Sequence, residues 1–380
     1  MINEIIQKYL VDTDSVSELE INGPKSIHAR VNGKRRELVE KFNDEQHYNR
    51  EILELVKIIN PLFDESKDKL EYLQEGRLNL SDGNIARVHI VLPPASFYPL
   101  VTIAKKTTNL VTLDDIYNAG SMSTTMKNFI KAAIDCKLTI AFSGSTGSGK
   151  TTFLEAISKL IPMDTRIGVV EDSPELQLIQ DNVVYMHSMP WRPGMDPNNE
   201  VTLDWCVRQI NRMRTDILII GETRGKEFHQ FLMGANSGME GSMTTLHANS
   251  PKGALEKMAQ FCMEAQPAPM RIINKLISST IDIIIQLDKT VGGEYKTTGI
   301  CEVSRILGND EDASIATTML SEYNQSTKNW NDKFLMSDQL RKKLELYGYD
   351  CSTFLKEGAG NNSRDDSFKF KNTGLPNFKF

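Results

Sequence analysis

Residues 144–151 read Gly144-Ser-Thr-Gly-Ser-Gly149-Lys150-Thr151, which fits the pattern G-x-x-x-x-G-K-[ST]. The chemistry open to such a run is phosphate binding. Glycines let backbone N–H groups converge on an anion, and a helix that starts at the lysine adds the positive end of its dipole. Lys150 is expected to reach the β- and γ-phosphates of a nucleoside triphosphate and Thr151 to hold Mg²⁺. The contacts expected for that nucleotide are Gly144, Ser145, Thr146, Gly147, Ser148, Gly149, Lys150, Thr151 and Thr152. A small-residue loop that binds nothing is the plain alternative.

Three further clusters could act on a bound phosphate. Glu171, Asp172 and Glu175 follow the apolar run 167–170. Glu222 and Arg224 follow the apolar run 217–220, in the manner of a Walker B strand. His247 ends the run 243–246, with Thr244 and Thr245 before it and Asn249 after it. Hydrolysis of a γ-phosphate needs Mg²⁺ held in place and a water oriented or deprotonated, and carboxylates do both. Taken singly, each cluster also reads as a polar turn, a strand cap or a structural histidine. Arg208 and Arg212 stand one helical turn apart with Arg214 close by, and Arg192 lies between two prolines. These are read either as solvated surface or as contacts to a neighbouring subunit's nucleotide.

For these clusters to meet, they must sit at the carboxyl ends of parallel strands, where open α/β sheets bind ligands. The pattern from 123 to 305 alternates strand-like and helix-like runs, as an α/β fold with a parallel sheet requires. Core strands are expected at 138–142, 167–170, 183–186, 217–220, 243–246 and 281–287. Residues 1–105 read as a small α+β domain. It has a hairpin through Asn32-Gly33, a helix over 44–59 and a second hairpin through Asp82-Gly83. Residues 106–122 read as a linker with a short helix, 306–357 as an extension with a helix at 338–347, and 358–380 as a disordered tail rich in Gly, Asn, Ser and Asp.

Composition narrows the partners. The 380-residue chain carries a net charge of −6, and its densest basic stretches are three residues long. That argues against a bulk electrostatic footprint for nucleic acid. Five scattered cysteines without C-x-x-C spacing fit reduced thiols in a cytoplasmic protein, with no zinc site or metal cluster. No apolar run approaches the ~18 residues that span a membrane.

The order of the motifs resembles the type II/type IV secretion ATPase superfamily. That order is a Walker A loop, an acidic box at Glu171-Asp172 with Glu175, a Walker B strand ending Gly221-Glu222-Thr-Arg224 and a histidine box ending in His247. The wording is most similar to the ATPases of tight-adherence (Tad) pili, with conjugation-type secretion ATPases next. Glu18-Leu-Glu-Ile-Asn-Gly-Pro24, Leu113-Asp-Asp-Ile and Ser242-Met-Thr-Thr-Leu-His-Ala-Asn-Ser-Pro251 carry that likeness.

The resemblance implies an N-terminal domain joined to a RecA-like P-loop ATPase domain, assembled as a homohexameric ring. It implies a site at the inner face of the cell membrane, beneath an inner-membrane platform protein of a pilus or secretion system. By position, Glu171 matches the water-activating glutamate, Glu222 the glutamate near Mg²⁺, and His247 the box histidine. Three positions depart from the family. Gly238-Met239 stands for Gly-His, Ala104-Lys105 for a nucleotide-contacting arginine with Lys105 as a substitute point charge, and Thr223 for an aliphatic residue. The departures bear on turnover and leave nucleotide binding untouched. Two other readings stand beside the motor: a nucleic-acid translocase on the same core, and an ATP-binding scaffold with little turnover.

Overall fold

The computed structural model describes residues 1–13, 15–31, 34–61, 63, 72–106, 111–189, 199–290, 292–304 and 314–356. Two compact units emerge: Met1–Leu110 with Pro190–Glu200, and Val111–Met189 with Val201–Phe380.

The first unit opens with α1 (Ile2–Ile6) and a single π-turn, Gln7–Val11. It continues through β1 (Val16–Ile21), β2 (Ile27–Val31), β3 (Lys34–Glu37), α2 (Glu45–Ile59), β4 (Leu73–Asn79), β5 (Ile85–Val91) and β6 (Leu100–Lys106). Six strands form one sheet in the order β3-β2-β1-β6-β5-β4. Asp44 caps α2 by accepting from the His47 N–H, and Tyr48, Ile52, Leu55 and Val56 face the core at helical spacing. Both expected hairpins are present; the Asn32-Gly33 turn itself falls outside the described residues. β3 ends just before the apolar pair Leu38-Val39. All four of its side chains are exposed, so backbone pairing with β2 sets its position, and Leu38 buries after the strand ends.

In the second unit, α3 (Leu113–Asn118) and α4 (Thr124–Asp135) precede β7 (Ile140–Gly144) and α5 (Lys150–Ser158). Then come β8 (Ile167–Glu171), β9 (Val183–His187), α6 (Leu203–Ile210), β10 (Ile217–Ile220), α7 (Glu227–Ala235) and β11 (Met243–Leu246). The chain continues through α8 (Pro251–Ala265), α9 (Met270–Thr280), β12 (Ile283–Lys289), β13 (Tyr295–Val303), β14 (Thr317–Asn324), β15 (Asn329–Asp332), α10 (Asp338–Leu346) and α11 (Ser352–Lys356). The nine strands run β15-β14-β13-β12-β7-β11-β10-β8-β9. From β12 to β9 every pairing is parallel; β13, β14 and β15 add antiparallel. Every residue of β7, β8, β10 and β11 is buried, as strands covered on both faces must be. The segment 106–122, read as a linker, holds the last residue of β6 and the capped helix α3, whose Leu113 joins the second unit's core.

The segment after 305 also enters that core. Phe334 and Phe354 are fully buried against Phe129, with ring centroids 5.0 and 5.8 Å away. Buried Glu302 on β13 accepts from the Ser337 N–H at 2.9 Å and from its hydroxyl, fixing the start of α10. Replacing Phe354 with alanine is therefore expected to cost about 3–5 kcal/mol in urea denaturation. A loss below about 1 kcal/mol would show that the terminal helix is not part of the core.

Candidate functional site

The loop between β7 and α5 is shaped by its glycines. Gly147 and Gly149 have φ of +74° and +88°, a region costly for residues with a Cβ. Gly144 is required for a different reason. A Cβ there would lie 2.1 Å from the Leu287 carbonyl oxygen on β12 and 2.5 Å from Ser148 Oγ. The strand beside the loop thus leaves room for nothing larger. α5 begins at Lys150, so its first backbone N–H groups open toward the loop. Thr151 is half-buried and Thr152 exposed in its first turn.

Parallel register brings the remaining clusters to the same edge. Gly144, His247, Glu222 and Glu171 sit at or just past the carboxyl ends of β7, β11, β10 and β8, which are consecutive neighbours in the sheet. Buried Lys150 donates to the carbonyls of Gly144 (3.0 Å) and Ser145 (2.8 Å) and to His247 Nδ1 (3.2 Å). That uses all three ammonium donors. His247 Nε2 lies 2.9 Å from Glu222 Oε1, and Glu222 Oε2 accepts from Arg224 Nη2 at 2.7 Å. Arg224 reaches on to Asp172 at 3.5 Å. A polar chain thus runs from the loop lysine through histidine and glutamate to the acidic box.

This geometry fixes the histidine's state. Since Nδ1 accepts from Lys150, the ring is neutral with its proton on Nε2, donated to Glu222. Burial, reinforced by the Lys150 charge, holds the His247 pKa below its ordinary value. Burial likewise lowers Lys150, opposed by the charges of Glu222 and Asp288. For Glu222, burial is the largest single influence and pushes the pKa up. The Arg224 hydrogen bond and charge, with those of His247 and Lys150, outweigh it and leave the carboxyl below its ordinary value.

A histidine pKa depressed on folding means that the unfolded chain binds the proton more readily. Its contribution to stability is full above the unfolded value near 6.5 and falls away as pH drops toward the folded value. The wild-type chain is thus expected to lose more stability than His247→Gln between pH 7.5 and 5.5, measured by thermal melts. Equal losses would remove His247 from the account.

Glu171 is buried and oriented: its Oε1 accepts from the backbone N–H groups of Glu175 (3.0 Å) and Leu176 (2.9 Å). It packs against Gly221, where a Cβ would come within 2.9 Å of the Glu171 Cγ. Among the basic candidates that lie in the described residues, only Arg224 joins the cluster. Lys105 pairs with Asp82 at 3.1 Å within the first unit. Arg208 pairs with Asp204 one turn back on α6. Arg212 and Arg214 are exposed in the turn before β10, at the end opposite Glu222. Arg192 lies outside the described residues.

The departures at Met239 and Thr223 find packing explanations. Met239 precedes the far end of β11, where its sulfur accepts from Thr215 Oγ1 at 3.2 Å and its methyl packs on Gly234. Thr223 is buried and shares a hydrogen bond with Thr244.

Sequence reading missed two supporting residues. Ser143 Oγ and Gln286 Nε2 both donate to the Ala248 carbonyl, at 3.3 and 3.2 Å, tying the segment after His247 to β7 and β12. The signal was present: Gln286 interrupts the apolar run 283–287. Beside the loop lies an open cleft of about 580 Å³ lined by Ser145, Thr146, His247, Asn249, Ser250 and Lys257.

A parallel sheet with this loop, and with lysine, histidine and carboxylates at adjacent strand ends, defines a P-loop NTPase fold with a preceding N-terminal domain. The chain belongs to the type II/IV secretion system protein family, whose model matches residues 3–328. It is 31% identical over 219 residues to the probable conjugal transfer protein TrbB of Sinorhizobium fredii, covering 57% of this chain and 63% of that protein. It is 31% identical over 252 residues to the type IV secretion system protein VirB11 of Bartonella henselae, covering 56% and 70%. The match to TrbB thus spans somewhat under two thirds of that relative's length. In fold it is similar to the ATPase DotB of Legionella pneumophila, with a TM-score of 0.57 at 17% identity over 78% of this chain and 79% of that one. It is equally similar to the pilus retraction motor PilT with bound ADP, with a TM-score of 0.57 at 14% identity over 91% and 88%.

Proposed function

We propose that the chain is an ATP-hydrolysing motor that drives protein secretion, pilus assembly or conjugal transfer from the cytoplasmic face of a membrane. The observation that carries this is the continuous contact from Lys150 through His247 to Glu222 at the carboxyl edge of the parallel sheet. Incoming phosphate oxygens replace the loop carbonyls and His247 as partners of Lys150, and that exchange reports occupancy to Glu222 and Arg224. Glu171, held by two backbone donors, is the assigned base or orienter of the attacking water. His247, released from Lys150, takes up the terminal phosphate.

The donors suit Mg²⁺ better than a dedicated protein cage. Among the described residues no group of three or more His, Cys, Asp or Glu is arranged to hold a metal. Mg²⁺ is commonly held through one or two oxygen donors plus substrate phosphates. Thr151 and Glu222, the latter partly through water, are the residues assigned to it. Bound Mg²⁺ supplies neutralisation of charge on the β- and γ-phosphates.

Among the described residues no helix is long and apolar enough to cross a membrane. Attachment to an inner-membrane platform protein and assembly into a homohexameric ring belong to this proposal on the strength of the family. Lys105, Arg192, Arg208, Arg212 and Arg214 are assigned to subunit or phosphate contacts within that ring. The division into an N-terminal domain and a RecA-like ATPase domain, and service to a tight-adherence pilus, are part of the same reading. Phosphate release from ATP by the purified chain, with and without Mg²⁺, tests the activity, and native mass spectrometry tests the ring. A chain that binds ATP tightly but releases no phosphate as an intact ring would select the scaffold reading.

A further inference from the structure

Tyr295 opens β13 and is half exposed. Its ring lies against the phosphate loop: a Cβ built on Gly149 would be 3.5 Å from Cδ1 and 3.8 Å from Cε1. The ring rests on a glycine that caps α5. The ammonium of Lys289, its register partner on β12, stands 5.2 Å from the ring centroid. Nothing in the hydrolytic chain from Lys150 to Asp172 uses either residue.

Sheet order gives the position its meaning. The groups suited to a terminal phosphate, His247 and Glu222, follow β11 and β10, on one side of β7. Tyr295 is on β13, reached through β12 on the other side, where Leu287 of β12 pairs with Gly144. A triphosphate seated on the loop with its terminal group at His247 runs back across the start of α5, and its nucleoside end leaves toward β12 and β13. On that side of the loop lies the Tyr295 ring, with the Lys289 ammonium over it.

We infer that Tyr295 is the platform on which the base of the bound nucleotide stacks, with Lys289 as the flanking cation. This rests on the nucleotide-binding reading of the loop and adds the part of the ligand that the loop itself does not recognise. Stacking of this kind tolerates any base, because every base presents a π-face. The site is therefore expected to discriminate a nucleotide from bare polyphosphate far more than one nucleotide from another.

Affinity of the full-length chain for ATP, ADP and inorganic tripolyphosphate, measured by calorimetry in Mg²⁺ buffer, separates the possibilities. Tyr295→Ala is expected to weaken ATP and ADP about tenfold or more. Tripolyphosphate affinity should be unchanged, and Tyr295→Phe should stay within about twofold of wild type for all three, since the face and not the hydroxyl is used. Unchanged ATP affinity in Tyr295→Ala overturns the platform while leaving the nucleotide site standing. Equal loss for ATP and tripolyphosphate also overturns it, because the ring would then only support the loop. Failure of the wild-type chain to bind any of the three overturns both this inference and the loop reading on which it rests.

Discussion

Lys150→Ala is expected to lower phosphate release from ATP by about 10²–10³-fold and ATP affinity by about 10–100-fold. The ammonium is the positive charge that the buried site holds closest to the loop, with Gly144 and Ser145 carbonyls 3.0 and 2.8 Å away. It is also the group whose partners an incoming phosphate is proposed to replace. Removing it leaves His247 Nδ1 without its donor and the loop without its counter-charge. The fold should survive, because the glycine conformations and the close approach of β12 set the loop's shape without the lysine. Steady-state phosphate release, calorimetric titration with ATP and a thermal melt together check this. Wild-type turnover in a well-folded variant would sink the motor reading.

Glu222→Gln is expected to separate binding from chemistry. The amide keeps the shape of the side chain and can still accept from His247 Nε2 or Arg224, so ATP affinity should stay within about threefold. It cannot carry the negative charge that holds Arg224 and favours a proton or metal nearby, so turnover should fall about 10²-fold or more. A parallel fall in affinity and turnover would instead make Glu222 a structural strap between β10 and β11. The contrast with Lys150→Ala is the informative part: one variant loses the ligand, the other retains it unreacted.

Much of this was legible in the residues. Strands β7, β8, β10 and β11 are short, mostly apolar runs, and each leads directly into a group of the site: the phosphate loop, Glu171, Glu222 and His247. Local periodicity locates such strands to within two residues, as 217–220 and 243–246 illustrate. The C-terminal segment was not legible in the same way. β14 reads Thr-Thr-Met-Leu-Ser-Glu-Tyr-Asn and buries only Leu320 and Ser321, and β15 is Asn-Trp-Asn-Asp. Neither alternates strongly, because each gains its place by pairing antiparallel with a strand already present. Gln286 is illegible for the opposite reason: one polar residue in an apolar run carries no pattern of its own until its partner, the Ala248 carbonyl, lies opposite it.

The sequence by itself determined the ligand chemistry of this protein. A phosphate loop is a contiguous stretch whose glycines, lysine and threonine act through their own backbone and side chains, so eight residues suffice to read it. It also determined which strand ends carry carboxylates and imidazole, since period and polarity are local. Only the tertiary structure decided what those groups do to one another. It placed His247 with one nitrogen on Lys150 and the other on Glu222, which fixes its protonation. It kept Arg212 and Arg214 at the far end of β10 from this chain's own loop. It laid Tyr295 on Gly149. Each of these depends on strand order and register between segments tens to more than a hundred residues apart, and no spacing along the chain encodes which strand will lie beside which.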